Sequence, residues 1–150
     1  MSTVYWEDLR EGQEIPSKSI AIGAAQLFQV SAATCNTHRI HFDTLWAQHE
    51  GYEERVIHGP VQGEILVQTI ESWIGTSGWL RKLNFSNRRY AVVDENLTGK
   101  GKVTRLFEDN GQSFADLEVW VEKDSGEVTV PGTATVELPT RKRAIEVPQD

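Results

Sequence analysis

The chain has 150 residues, enough for one domain of ordinary size and too few for two. Its 39% hydrophobic and 25% charged residues are the make-up of a globular protein rather than a disordered or fibrous one. With 15 Lys and Arg against 22 Asp and Glu, the formal charge is −7, and a field of that sign repels phosphate backbones, which argues against a nucleic-acid partner.

No apolar run approaches the roughly 18 residues that a membrane span needs. The stretch Met1 to Glu7 does not read as a signal peptide. The single cysteine, Cys35, leaves no internal disulfide to form and suits a reducing compartment. A cytoplasmic protein with no membrane partner is the expectation.

From Trp6 to Gln13 one apolar residue stands among charges beside Gly12, which predicts a short helical turn and then a bend. Ile20 to Ile22 and Leu27 to Ala33 fit strand or helix, and their periodicity does not separate the two. The clearest element begins at Gly59-Pro60. Proline at the first helical position lacks only an amide that has no helical partner there. Val61, Ile65, Leu66, Ile70, Trp73 and Ile74 recur at helical spacing, and Gly75 supplies a stop. A stripe that wide predicts a largely buried helix.

Beyond the helix the period becomes that of strands. Leu83 to Phe85, Tyr90 to Val93, Lys102 to Phe107, Ala115 to Val121, Val128 to Val130 and Thr133 to Leu138 are the candidates. Asp109-Asn110-Gly111 and Asp124-Ser125-Gly126 are turn signals. One long buried helix followed by hairpin-connected antiparallel strands predicts an α+β architecture, with the helix covering one sheet face. We read residues 1–150 as a single domain, with a loose polar tail from 140 to 150.

All four histidines lie between residues 38 and 58, with Cys35 close by. Imidazole is the side chain whose ordinary pKa is nearest neutrality, so it is the natural general acid or base. His49, beside Gln48 and Glu50, reads as a surface residue. Cys35, His38 and His41 recur every three residues, yet no second pair of zinc-type ligands and no His-Glu-x-x-His helix accompanies them, so no metal is expected. Cys35, between Thr34 and Asn36, reads as a packed small residue rather than a nucleophile. The amide of Gly59 stands where the first turn of the helix leaves N–H groups unpaired and the dipole is positive. Such an end suits an oxyanion, and glycine lets a carbonyl approach the backbone closely.

Asn36-Thr37-His38-Arg39-Ile40-His41-Phe42-Asp43, followed by His58-Gly59, resembles the signature of the MaoC-like hydratases and dehydratases of the hotdog fold. The form Asn-x-His-Arg-Ile-His-x-Asp looks like the branch that includes hydroxyacyl-thioester dehydratases and mesaconyl-CoA-type hydratases. The resemblance implies a hotdog domain, a long central helix wrapped by an antiparallel sheet. It also implies a hydro-lyase that adds water to a trans-2-enoyl thioester or removes it from the hydroxyacyl product. His41 takes the place of the family's catalytic histidine, Gly59 of its oxyanion glycine, and Asn36 of a residue that positions water. His38, Arg39 and His58 are expected to contact substrate. No cofactor is implied. The implied substrate is an acyl-CoA or acyl-carrier thioester, and the implied assembly is a homodimer or a heteromer with another hotdog subunit.

One departure matters: Asn36 stands where most of the family has an aspartate, and an amide neither takes nor gives a proton at neutral pH. That leaves a non-catalytic partner subunit as one alternative. A hotdog thioesterase is the other, with Glu64 or Glu71 of the helix activating water. Trp46, Tyr52, Trp73 and Trp79 suggest a roomy apolar tunnel, although aromatics in a small core need no ligand.

Overall fold

Two helices and a strand precede the long helix in the computed structural model, which describes residues 3–145. Strand β1 is Lys18–Ala21, helix α1 is Ala24–Ala33 and helix α2 is Thr44–His49. The ambiguous Leu27 to Ala33 is therefore helical. Gln26 fixes its start by accepting a bond from Gly23 N at 2.8 Å. Its end comes at Thr34, whose N–H and hydroxyl both bond Val30 O, before Cys35 turns the chain away at φ 53°. Cys35 is exposed, not packed.

Helix α3 spans Gly59–Ile74, with Pro60 in its first turn and Gly75 (φ 62°) at its end. Its inward face carries Gln62, Gly63, Ile65, Leu66, Thr69, Ile70 and Ile74. The face packs against five strands, of which the remaining four are β2 (Trp79–Phe85), β3 (Asn96–Asp109), β4 (Gln112–Lys123) and β5 (Val128–Leu138). They form one sheet in the order β1-β3-β4-β5-β2, antiparallel at every pairing. This is the expected α+β hotdog arrangement. Ala115, Leu117, Val119 and Val121 of β4 turn inward to the core as their alternation predicts, while Asp116, Glu118 and Trp120 face away.

The β3–β4 hairpin closes on Asn110 (φ 49°) and Gly111 (φ 76°), the two left-handed positions that a tight primed turn requires. Helix and sheet approach closely at Gly99 of β3, where an added Cβ would overlap Thr69 Oγ1 and lie 3.0 Å from Ile65 Cγ2.

Other expectations also need correction. Tyr90 to Val93 is not a strand. Val92 makes a single bridge to Val56, with Ile57 N bonding Ala91 O and Val93 N bonding Arg55 O, and Asp94 (φ 64°) then turns the chain. The segment is apolar because Ala91, Val92 and Val93 are buried beneath residues 55–57. Val128 to Val130 and Thr133 to Leu138 are one strand running through Pro131. The Pro131 carbonyl accepts from Ser86 N on the flank where β2 has already ended at Phe85, so no partner strand there requires the missing N–H. The aromatics also line no common tunnel: Trp46 and Tyr52 pack on Ile40, Ala47 and Val56, whereas Trp73 packs on the main core.

The polar tail begins tied rather than loose. Thr140 pairs with Arg143, and Arg141 holds Glu7 and Asp8. Residues 146–150 lie outside the described residues. No helix of the described residues is long and apolar enough to cross a membrane.

Candidate active site

The loop that carries the histidines is built by local hydrogen bonds. Asn36 N bonds Ser31 O, and Asn36 Oδ1 accepts from His38 N at 3.1 Å, an Asx turn that redirects the chain. A 3₁₀ turn over Arg39–His41 follows. Asp43 then caps α2 by accepting from Trp46 N, and Arg39 Nε donates to Asp43 Oδ2 at 3.1 Å. The Arg39 guanidinium and the Trp46 amide together hold the Asp43 carboxyl below its ordinary pKa. Arg39 also lies over the Trp46 ring, 4.2 Å from its centroid. Asp43 and Arg39 thus build the loop.

A second segment straps onto this turn. Val56 N bonds Ile40 O, and His41 Nδ1 lies 2.7 Å from Val56 O. A carbonyl oxygen can only accept, so Nδ1 carries the proton and Nε2 of neutral His41 keeps its lone pair. His58 stacks on His41, with ring centroids 3.7 Å apart, and its Nε2 is hydrogen-bonded to Ser31 Oγ at 3.0 Å.

Both imidazoles are buried, at 8% and 3% exposure. Burial, with a smaller contribution from His41, pushes the His58 pKa down to about 4. Burial also lowers His41; His38 adds to that shift and the bond to Val56 O opposes it. Both rings are neutral at pH 7, and His41 stands in its basic form.

Gly59 opens α3 directly after His58. Pro60 has no N–H, while Val61 N and Gln62 N both fold back onto His58 O. Among the described residues nothing accepts from Gly59 N–H, which remains the free main-chain donor of this turn. A Cβ at 59 would lie 2.6 Å from Nδ2 of the exposed Asn87 side chain, which would have to swing aside to admit it.

His41, Gly59 and Gln62 share one cleft of about 440 Å³, whose other wall is Asn87 to Tyr90. The structure therefore brings His41 and Gly59 together. His58 lies against His41 and does not line the cleft. Asn36 is half-buried outside it. His38 is exposed, its ring 5.9 Å from that of His41 and its Nε2 3.5 Å from Glu50 Oε1. Arg39 is exposed and engaged by Asp43. Cys35, His38 and His41 do not share a helix face, because residues 35–38 are loop; among the described residues no three His, Cys, Asp or Glu side chains gather as a cation would require.

Sequence reasoning missed Ser31, Gln62, Asn87, Arg88 and Arg89. Gln62 carried a readable signal, since it stands three residues before Ile65 and four before Leu66, on the apolar stripe of α3. The rest lie on segments whose spacing says nothing about the site.

Comparison with known proteins bears on the family and the fold. The family model for hydroxyacyl-thioester dehydratase type 2 matches residues 7–93, more than half of the chain. The mesaconyl-C(4)-CoA hydratase of Chloroflexus aurantiacus is 51% identical over 43 residues, which are 28% of this chain and only 15% of that relative's length. Among solved structures, the (R)-hydratase of A. caviae involved in PHA biosynthesis superposes with a TM-score of 0.80 at 24% identity, over 89% of this chain and 99% of that one. The R-hydratase PhaJ1 of Pseudomonas aeruginosa gives 0.82 at 19% identity, over 99% and 94%. These likenesses establish a hotdog fold. The chain belongs to the hydroxyacyl-thioester dehydratase type 2 family.

Proposed function

We propose that this chain is a hydro-lyase that adds water to the double bond of a trans-2-enoyl thioester and, in reverse, dehydrates the 3-hydroxyacyl thioester. The observation that carries this reading is the tautomer of His41: Nδ1–H is committed to Val56 O, so the basic Nε2 is free in the cleft shared with the Gly59 amide.

His41 Nε2 takes a proton from water as its oxygen bonds to the β-carbon. The electron pair of the double bond moves toward the thioester carbonyl, and Gly59 N–H stabilises the charge on its oxygen. Return of the same proton from His41 to the α-carbon completes the addition on one face. Asn36 acts through the turn: its oxygen is engaged by His38 N, so it positions the histidine loop. Arg88 and Arg89 at the cleft wall suit the phosphates of a CoA or carrier-protein thioester. The Asn-x-His-Arg-Ile-His-x-Asp branch, and a homodimer or heteromer formed through the open sheet edges at β1 or β2, belong to the same proposal.

The thioesterase alternative asks for a carboxylate in the cleft. Glu64 and Glu71 are exposed and do not line it, and Glu64 accepts from Gln68.

Incubation with a short trans-2-enoyl-CoA and with its saturated counterpart separates the readings. The expected result is loss of enoyl absorbance without thiol release. Thiol release from the saturated acyl-CoA points to a thioesterase, and no change with either points to a non-catalytic subunit.

A further inference from the structure

The first turn of α3 offers fewer donors than a helix start ordinarily does. Pro60 removes one, and Val61 N and Gln62 N are turned back onto His58 O, so this first turn of α3 brings one unpaired main-chain donor, Gly59 N–H, to the cleft. Oxyanion sites ordinarily aim at least two donors at the developing charge. Gln62 stands on the same cleft wall at 2% exposure. Its Oε1 is buried without a partner among the described residues. Buried side-chain amides are nearly always hydrogen-bonded, because burying one unpaired forfeits its bonds to water without replacement. A glutamine left unpaired on a cleft wall is thus a group that faces ligand.

We propose that Gln62 is a catalytic residue whose Nε2–H joins Gly59 N–H in holding the thioester carbonyl oxygen. The inference rests on the acyl-thioester reading of the cleft. The donor end of the amide is the one the reaction lacks. His41 Nε2 already supplies the acceptor for water, whereas the first turn of α3 offers the enolate oxygen one main-chain donor.

Gln62→Met keeps the size of the side chain and removes the amide. Gln62→Glu keeps the shape and, at neutral pH, replaces a donor by an anion. Two readouts are taken on each folded variant: kcat with an enoyl-CoA, and the carbonyl stretch of bound butyryl-CoA labelled with ¹³C at the thioester, which does not turn over. Both variants are expected to lose about 100-fold in kcat with KM within about threefold, and the downshift of the carbonyl band seen with the parent shrinks in both. Parent-like kcat in Gln62→Met overturns the proposal, as does a parent-like band in that variant. If the parent hydrates no enoyl-CoA yet shows a downshift that Gln62→Met abolishes, the hydratase reading falls and the Gln62 contact stands. If the parent hydrates and neither variant moves either readout, only Gln62 is removed.

Discussion

Replacing His41 with alanine is expected to lower kcat/KM for enoyl-thioester hydration at least 100-fold. General acid–base groups contribute about 10² to 10⁴ in rate, and His41 is assigned both proton transfers here. The carboxylate of Glu50 is not on the cleft wall, and Tyr90, which is, already donates its hydroxyl to Glu53. Alanine also removes the donor to Val56 O and the ring on which His58 stacks, so some stability is lost with it. His41→Asn controls for that loss: its amide N–H can take the place of Nδ1–H toward Val56, while no base remains. Both variants are expected to fold, by circular dichroism, and to fall to similar low rates. Because burial holds His41 below its ordinary pKa, the acidic limb of the parent's kcat/KM profile should lie below pH 6.5 and be absent from the variants. Equal rates in parent and variants would remove His41 from its role.

Gly99→Ala is expected to destabilise the fold by about 3 kcal/mol, the upper part of the usual range for an overpacked core, or roughly 8 °C in Tm. Gly99 sits on β3 between Lys18 of β1 and Val121 of β4, and faces α3. The new methyl would overlap Thr69 Oγ1, which is fixed by its bond to Ile65 O at 2.7 Å, and would press on Ile65 Cγ2. Thr69 is 1% exposed and has nowhere to swing. Gly63 is the contrasting case: a methyl there meets the Phe85 ring, which is 41% exposed and can move outward. Thr69→Ala in the Gly99→Ala background takes away the hydroxyl that clashes. The double variant should therefore melt well above Gly99→Ala, a coupling that thermal denaturation of all four proteins measures. A Gly99→Ala protein melting with the parent would contradict the close helix–sheet contact.

Local signals made α3 readable to the residue: Gly59-Pro60 at its start, a broad apolar stripe, and Gly75 at its end. The β3–β4 hairpin was equally plain from Asn110-Gly111. Helix α1 was ambiguous because only Leu27 and Ser31 of it are buried, too narrow a stripe to set a period. Tyr90 to Val93 misled because burial, rather than sheet pairing, explains its apolar residues. Its one bridge partner is Val56, distant in sequence. The same distance limits the reading of the site. His41 and Gly59 follow from a motif and a helix start, and the cleft joins them. The Ser31–His58 bond, the stacking of His58 on His41 and the packing of Asn87 against Gly59 arise only when α1, the histidine loop and the segment after β2 meet in space.

The most direct measurement is a crystal structure of the protein with a saturated acyl-CoA. The carbonyl oxygen should lie about 3 Å from Gly59 N, with the β-carbon turned toward Nε2 of His41. A thioester seated away from the α3 N-terminus, or one whose β-carbon no imidazole can reach, would contradict the account.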